Sequence, residues 1–145
     1  MNNKEKIEDK LKPQIDKNGN RISPKLLPGL KNFIIDIDGV VSDDIPNEES
    51  ERMSTAKEIP GSREQINSWY EEGHIITFFT SRSEDLKELT TTWLINHKYK
   101  FHKIVFGKPR GGNYHYIDNT NVRATRFNGK FGDLVLKKKN IQVFE

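Results

Sequence analysis

Two carboxylates stand two residues apart, directly ahead of a glycine, in Asp36-Ile37-Asp38-Gly39. On an extended strand positions i and i+2 share a face, and Gly39 permits a sharp turn just after them, so both can point into one site. Like charges held that close need a cation, or one of them must keep its proton. Either condition serves phosphoryl chemistry. One carboxylate can act as nucleophile and the other as general acid and base, while Mg²⁺ neutralises the pair. A polar strand end followed by a turn would carry the same four residues, so the motif alone leaves both readings open. Three further groups bear on the choice. Thr80 and Ser81 are hydroxyl donors suited to phosphoryl oxygens. Lys108 is a compact positive charge, stiffened in its approach by Pro109 and followed by Arg110, Gly111 and Gly112. Asp118 is a third carboxylate, and Mg²⁺ commonly takes one or two of these and keeps several waters.

Groups so distant in sequence meet only if a fold gathers them. The runs FIIDI, HIITFFT, KIVFG and YHYID read as four short buried strands, each ending on one of these polar groups or just ahead of it. Between them the spacing predicts a helix over residues 61–73, opened by Gly61 and Ser62, with Ile66, Trp69 and Tyr70 on its apolar face and Gly73 as its stop. A second helix is capped by Ser83 and buries Leu86, Leu89, Trp93 and Leu94. Strands alternating with helices predict an α/β fold of three layers, a Rossmann-like, mainly parallel sheet with helices on both faces. Ligands of such sheets bind beyond the carboxyl ends of the strands, where Asp36 and Asp38, Thr80 and Ser81, Lys108 and Asp118 all fall.

Residues 40–60 form a long acidic connection, of a kind usually functional inside a compact domain. Residues 1–31 differ from the rest, with three prolines and eight Lys or Arg against four Asp or Glu. They read as a basic, irregular leader with a short helix over 4–11, attached to a domain spanning 32–145. Within the leader, Asp16, Asn18 and Asn20 begin like a calcium loop. The sixth and twelfth places hold Arg21 and Leu27 where Gly and a bidentate Glu are needed, so a simple Asn-Gly turn is predicted.

The chain has 145 residues, a net charge of +3 and no cysteine, which excludes thiol catalysis and Cys-ligated zinc or iron–sulfur sites. Its apolar runs fall far short of the roughly 20 residues of a membrane span. The N-terminus MNNKEKIEDKLK lacks the apolar stretch of a secretory signal, so a cytoplasmic location is expected. No basic face interleaved with aromatics suggests a nucleic-acid binder. The lysine run 137–139 reads as a solvated strand edge, and the four histidines lack metal-ligand spacing.

As an ordered set, FIIDIDGVV, ITFFTSR, GKP and YIDN resemble the four motifs of the haloacid dehalogenase (HAD) superfamily of phosphatases, over residues 32–127. The resemblance implies Asp36 as a nucleophile forming an aspartyl-phosphate, Asp38 as acid and base, Thr80 as phosphoryl ligand and Lys108 as charge stabiliser. It also implies Mg²⁺ held by Asp36, Asp38 through its backbone carbonyl, and Asp118, with Asn119 standing where many members carry a second acid. Ser81, Arg82, Gly39 and Arg110 are the expected substrate contacts. Residues 40–60 are short for a full cap domain and look like the flap of a minimally capped member, similar to the phosphatases of capsule and lipopolysaccharide synthesis and to the phosphatase domain of polynucleotide kinase.

The expected function is therefore a Mg²⁺-dependent phosphomonoesterase acting on a small phosphorylated substrate, a sugar phosphate of surface-polysaccharide synthesis being favoured. A nucleotide or polynucleotide 3′-phosphatase is the alternative, with nucleic acid as its partner. Asn119 in place of an acid suggests a third reading, a catalytically weak phosphosugar-binding or regulatory protein. An open site is compatible with a homo-oligomer, and no membrane partner is expected.

Overall fold

A computed structural model describes residues 6–131; residues 1–5 and 132–145, the lysine run 137–139 among them, lie outside the described residues. A hairpin of β1 (Leu11–Ile15) and β2 (Arg21–Leu26) is followed by β3 (Asn32–Ile35), α1 (Ser62–Glu71), β4 (Ile75–Phe79), α2 (Lys87–Asn96) and β5 (Lys103–Val105). β3, β4 and β5 form a parallel sheet in that order, with Ile35 beside Phe78 and Phe78 beside Ile104.

The alternation of side chains explains where the core sits. Ile35, Ile76 and Phe78 share a buried face with Ile66 of α1 and Trp93 and Leu94 of α2. The row Ile34, Thr77, Lys103 belongs to the other face, where Ile34 is 61% exposed. Strands laid down in sequence order by right-handed crossovers place both connecting helices on one face. The described residues thus make a mixed α/β fold with a small three-stranded parallel sheet, and the second helical layer expected from the sequence is not seen among them.

The fourth strand expected at YHYID is also missing among the described residues: residues 114–118 are exposed and carry no regular structure. Gly111, Gly112 and Asn113 in succession have positive φ, which breaks any extended lead-in. The aromatic rings that suggested a buried strand stay outside, Tyr114 turning its hydroxyl to the Pro109 carbonyl and Tyr116 to Asp118.

Two further differences are local. α1 starts at Ser62 behind Gly61 as expected, but the Ser83 side chain makes no capping bond, and a 3-10 turn over Glu84–Leu86 leads into α2. The leader is more ordered than its composition suggests. After a 3-10 turn at Ile7–Lys10, β1 and β2 pair antiparallel around the Asn-Gly turn, where Asp16 accepts from the Asn18 and Asn20 amides and Gly19 takes φ +83°. Its base is fastened to the sheet layer by the buried Lys10, whose ammonium donates to the Gly73 carbonyl. Deleting residues 1–28 removes that buried contact, so the truncated chain should still fold, with a melting temperature lower by several degrees for about 1 kcal/mol lost. A truncated chain without a cooperative melt would place the hairpin in the core instead.

The 40–60 connection is a packed flap. Val41 and Asp43 meet Ile59 and Lys57 in backbone hydrogen bonds that close its base, and Ile45, Met53 and Ala56 are buried. Between them runs the 3-10 segment Asn47–Thr55, and the Trp93 indole of α2 donates to the Ala56 carbonyl at 3.1 Å.

Candidate active site

Three strand ends build the site. β3 delivers Asp36 one residue past its last ladder position, and the chain then winds around the Ile37 carbonyl, which accepts from the Val40, Val41 and Ser42 amides. Ile37 and Val41, both fully buried, pin this turn from below. Gly39 meets it at φ +83°, a conformation that costs other residues about 1 kcal/mol or more. β4 delivers Thr80, whose amide extends the ladder to the Val105 carbonyl, and the Thr80 carbonyl in turn accepts from the Lys108 amide at 2.9 Å. With the Gly107 amide donating to the Arg82 carbonyl at 2.9 Å, three backbone bonds tie β5 and the loop carrying Lys108 to the chain at the end of β4.

The side chains form two separate ion pairs. Lys108 Nζ lies 3.0 Å from Asp36 Oδ1, which also accepts from the Ile37 amide at 2.9 Å. Both contacts fall on Oδ1, leaving Asp36 Oδ2 without a partner among the described residues, on a side chain 38% exposed. The Lys108 ammonium is flanked by the rings of Phe79 and Tyr114, 5.7 and 5.2 Å from its nitrogen, an arrangement that shields and orients it. Asp38 is held by a fork: Arg82 Nε donates to Oδ2 at 3.0 Å and Nη2 to Oδ1 at 2.9 Å. Arg82 is itself buried, its Nη1 donating to Thr90 Oγ1 and its backbone amide to Thr80 Oγ1. Two neighbouring carboxylates thus meet two protein cations, and the repulsion that the sequence assigned to a metal to relieve is already offset.

The other expected contacts are partnered within the protein. Gly39 gives its amide to the Ser42 carbonyl, and Ser81 gives its hydroxyl to the Pro109 carbonyl. Arg82, expected against substrate, orients Asp38 from inside. Arg110 forms a two-bond pair with Glu48 at the start of the flap. Asp118 is exposed and turned to its own neighbours, accepting from the Tyr116 hydroxyl and from the amide and hydroxyl of Thr120, which hold its carboxyl below the usual range. Asn119 is likewise exposed.

No family model matches the chain, and no curated protein does. Solved structures that resemble it in part include two of unlike origin. A structural-genomics target from Vibrio cholerae is 22% identical over 65% of this chain and 84% of its own, with a TM-score of 0.47. A chain of a Pnkp1/Rnl/Hen1 complex is 14% identical over 73% of this chain, with a TM-score of 0.48, and this chain covers 42% of it.

For Mg²⁺ the donor chemistry fits in part. Asp36 Oδ2 is a hard oxygen without a partner among the described residues, and the ion needs only one or two carboxylates beside water and phosphate oxygens. Among the described residues no three His, Asp or Glu side chains, Asp118 included, gather as a metal group. Sequence reading missed Thr90, Asn47 and Glu48. Thr90 had a signal, since a buried Arg82 needs acceptors beyond one carboxylate. Asn47 and Glu48 had none, because the connection that carries them has no period to place its side chains. No helix of the described residues is long and apolar enough to cross a membrane.

Proposed function

We propose that this chain is a phosphomonoester hydrolase of the HAD type, working through an aspartyl-phosphate on Asp36. The observation that carries this reading is the division of labour between the two carboxylates: Asp36 offers an open Oδ2 beside a lysine, while Asp38 is locked in the plane of an arginine. Asp36 Oδ2 attacks phosphorus and the ester P–O bond breaks. The departing oxygen takes a proton from Asp38, and in the second half a water attacks phosphorus, gives its proton to Asp38, and releases Asp36 and inorganic phosphate. The Arg82 fork uses one lone pair on each Asp38 oxygen, so the remaining pairs stay open to carry that proton. Lys108 stays on Asp36 Oδ1 and faces the charge of the phosphoryl group in transit, while the fully buried Thr80 accepts the Arg82 amide on its hydroxyl oxygen and so positions the arginine that holds Asp38.

Mg²⁺ belongs to this proposal, with Asp36 and the Asp38 backbone carbonyl as its protein donors; when bound it would offset the charge of a phosphate dianion arriving beside two carboxylates. Turnover should therefore stop in excess chelator and return with Mg²⁺, and activity that persists in chelator would count against the metal. We favour a sugar phosphate of surface-polysaccharide synthesis as substrate, on the resemblance to minimally capped members. A panel of sugar phosphates and 3′-phosphorylated nucleotides tests it, and preference for the nucleotides would turn the reading to a 3′-phosphatase.

The role of Asp38 has its own test. As proton donor to the leaving oxygen it matters most for poor leaving groups, so Asp38→Asn should slow a sugar phosphate by about 10²-fold or more and a nitrophenyl phosphate far less. Equal losses on both would remove Asp38 from that role.

A further inference from the structure

Asn47 and Glu48 fasten the flap to both catalytic loops through polar contacts. Asn47 Nδ2 donates to the Ser81 carbonyl at 3.0 Å, and Ser81 Oγ donates to the Pro109 carbonyl at 3.3 Å. Beside them the guanidinium of Arg110 donates through Nη1 and Nη2 to both oxygens of Glu48, at 2.7 and 2.8 Å. Both of these side chains are more than half exposed, whereas the far end of the flap is buried through Met53 and Ala56. Arg110 is two residues from Lys108, so their Cα atoms lie within about 7 Å. Lys108 and this ion pair therefore share one short loop, which brings a second cation close to the one that would hold a phosphate.

Resting on the phosphatase reading, we propose that Arg110 is a specificity residue for a second anionic group on the substrate, and that Glu48 occupies its place until that group displaces it. A guanidinium fork takes a carboxylate or a phosphate with equal geometric ease, and Glu48 presents the shape such a group must match. Arg110 holds the Glu48 carboxyl down at about 2, so the pair stays ionised across any ordinary assay and only another anion competes for it. Because the pair is exposed it is worth little by itself, which is what exchange with an arriving ligand requires.

Three sugar phosphates sharing an ester at C6 test this. Glucose 6-phosphate has no second anion, 6-phosphogluconate has a carboxylate and fructose 1,6-bisphosphate has a second phosphate. The full-length protein should favour one or both anionic esters over glucose 6-phosphate in kcat/KM, and which one identifies the group as carboxylate or phosphate. Arg110→Gln should cut that preference about tenfold through KM, with Arg110→Lys regaining part of it. Glu48→Gln should raise the preference by up to about fivefold, as the competitor is lost. A preference that Arg110→Gln leaves unchanged, or that Glu48→Gln lowers, would overturn the proposal. If no ester is turned over, the same ratios read as calorimetric affinities separate the two ideas. Affinity for an anionic ester that depends on Arg110 upholds the specificity residue while the phosphatase reading fails, and no affinity at millimolar concentration overturns it.

Discussion

Replacing Asp36 with Asn is expected to lower turnover of a phosphate monoester by at least about a thousandfold while the protein stays folded. The amide keeps an oxygen for the Ile37 amide and Lys108 to bind, so the geometry around Oδ1 survives. What disappears is the nucleophilic Oδ2, replaced by a nitrogen with no lone pair to give. The cost in stability is small on the same grounds. Lys108 loses a counter-ion, but the Asp36 side chain is 38% exposed and water takes up much of the difference. A melting curve close to that of the parent chain, together with loss of turnover, is the expected pair of results. Variant turnover within tenfold of the parent would mean that phosphorus is attacked by something other than Asp36, most simply by water directed from Asp38. Acid-quenched protein that retains labelled phosphate in the parent chain, and none in Asp36→Asn, would separate those routes.

The parts of the fold legible in the sequence are those whose side chains are sorted by burial. The runs that became β3, β4 and β5 are β-branched or aromatic and bounded by polar residues, and the face of α1 follows from the spacing of Ile66, Trp69 and Tyr70. Asp36, Thr80 and Lys108 were legible for the same reason, since a strand that must be buried delivers whatever follows it to one end of the sheet. YHYID satisfies the same local pattern yet stays outside, because three positive-φ residues before it set the chain's direction and no propensity within the run can reverse that. The hairpin was hidden by its composition. Its order rests on one Asn-Gly turn and on Lys10 reaching Gly73, a contact between residues 63 apart that no local period encodes.

The roles of Arg82 and Arg110 show the limit more sharply. In the sequence both are arginines shortly after a catalytic motif and both read as substrate contacts. Burial separates them, and it predicts very different consequences for removing each. The Arg82–Asp38 pair is 3% and 16% exposed, the Arg110–Glu48 pair 55% and 64%. Glu48→Gln should leave the melting temperature close to that of the parent chain, since water replaces the lost partner. Arg82→Met leaves a carboxylate and a Thr90 hydroxyl facing apolar surroundings and should cost about 3–5 kcal/mol, or more than about 10 °C in melting temperature. The double variant Asp38→Asn with Arg82→Met removes the stranded charge and should recover part of that loss, so thermal melts of the two chains distinguish an uncompensated ion from mere loss of packing. Arg82→Lys completes the set, because it keeps the positive charge without the planar fork. Its melting temperature should fall between those of the parent and Arg82→Met, and its turnover should fall with it on poor leaving groups, where the orientation of Asp38 counts. Near-parental stability in Arg82→Met would contradict the buried fork, and parental turnover in Arg82→Lys would mean that charge compensation, and not the aim of the carboxylate, is what Arg82 supplies.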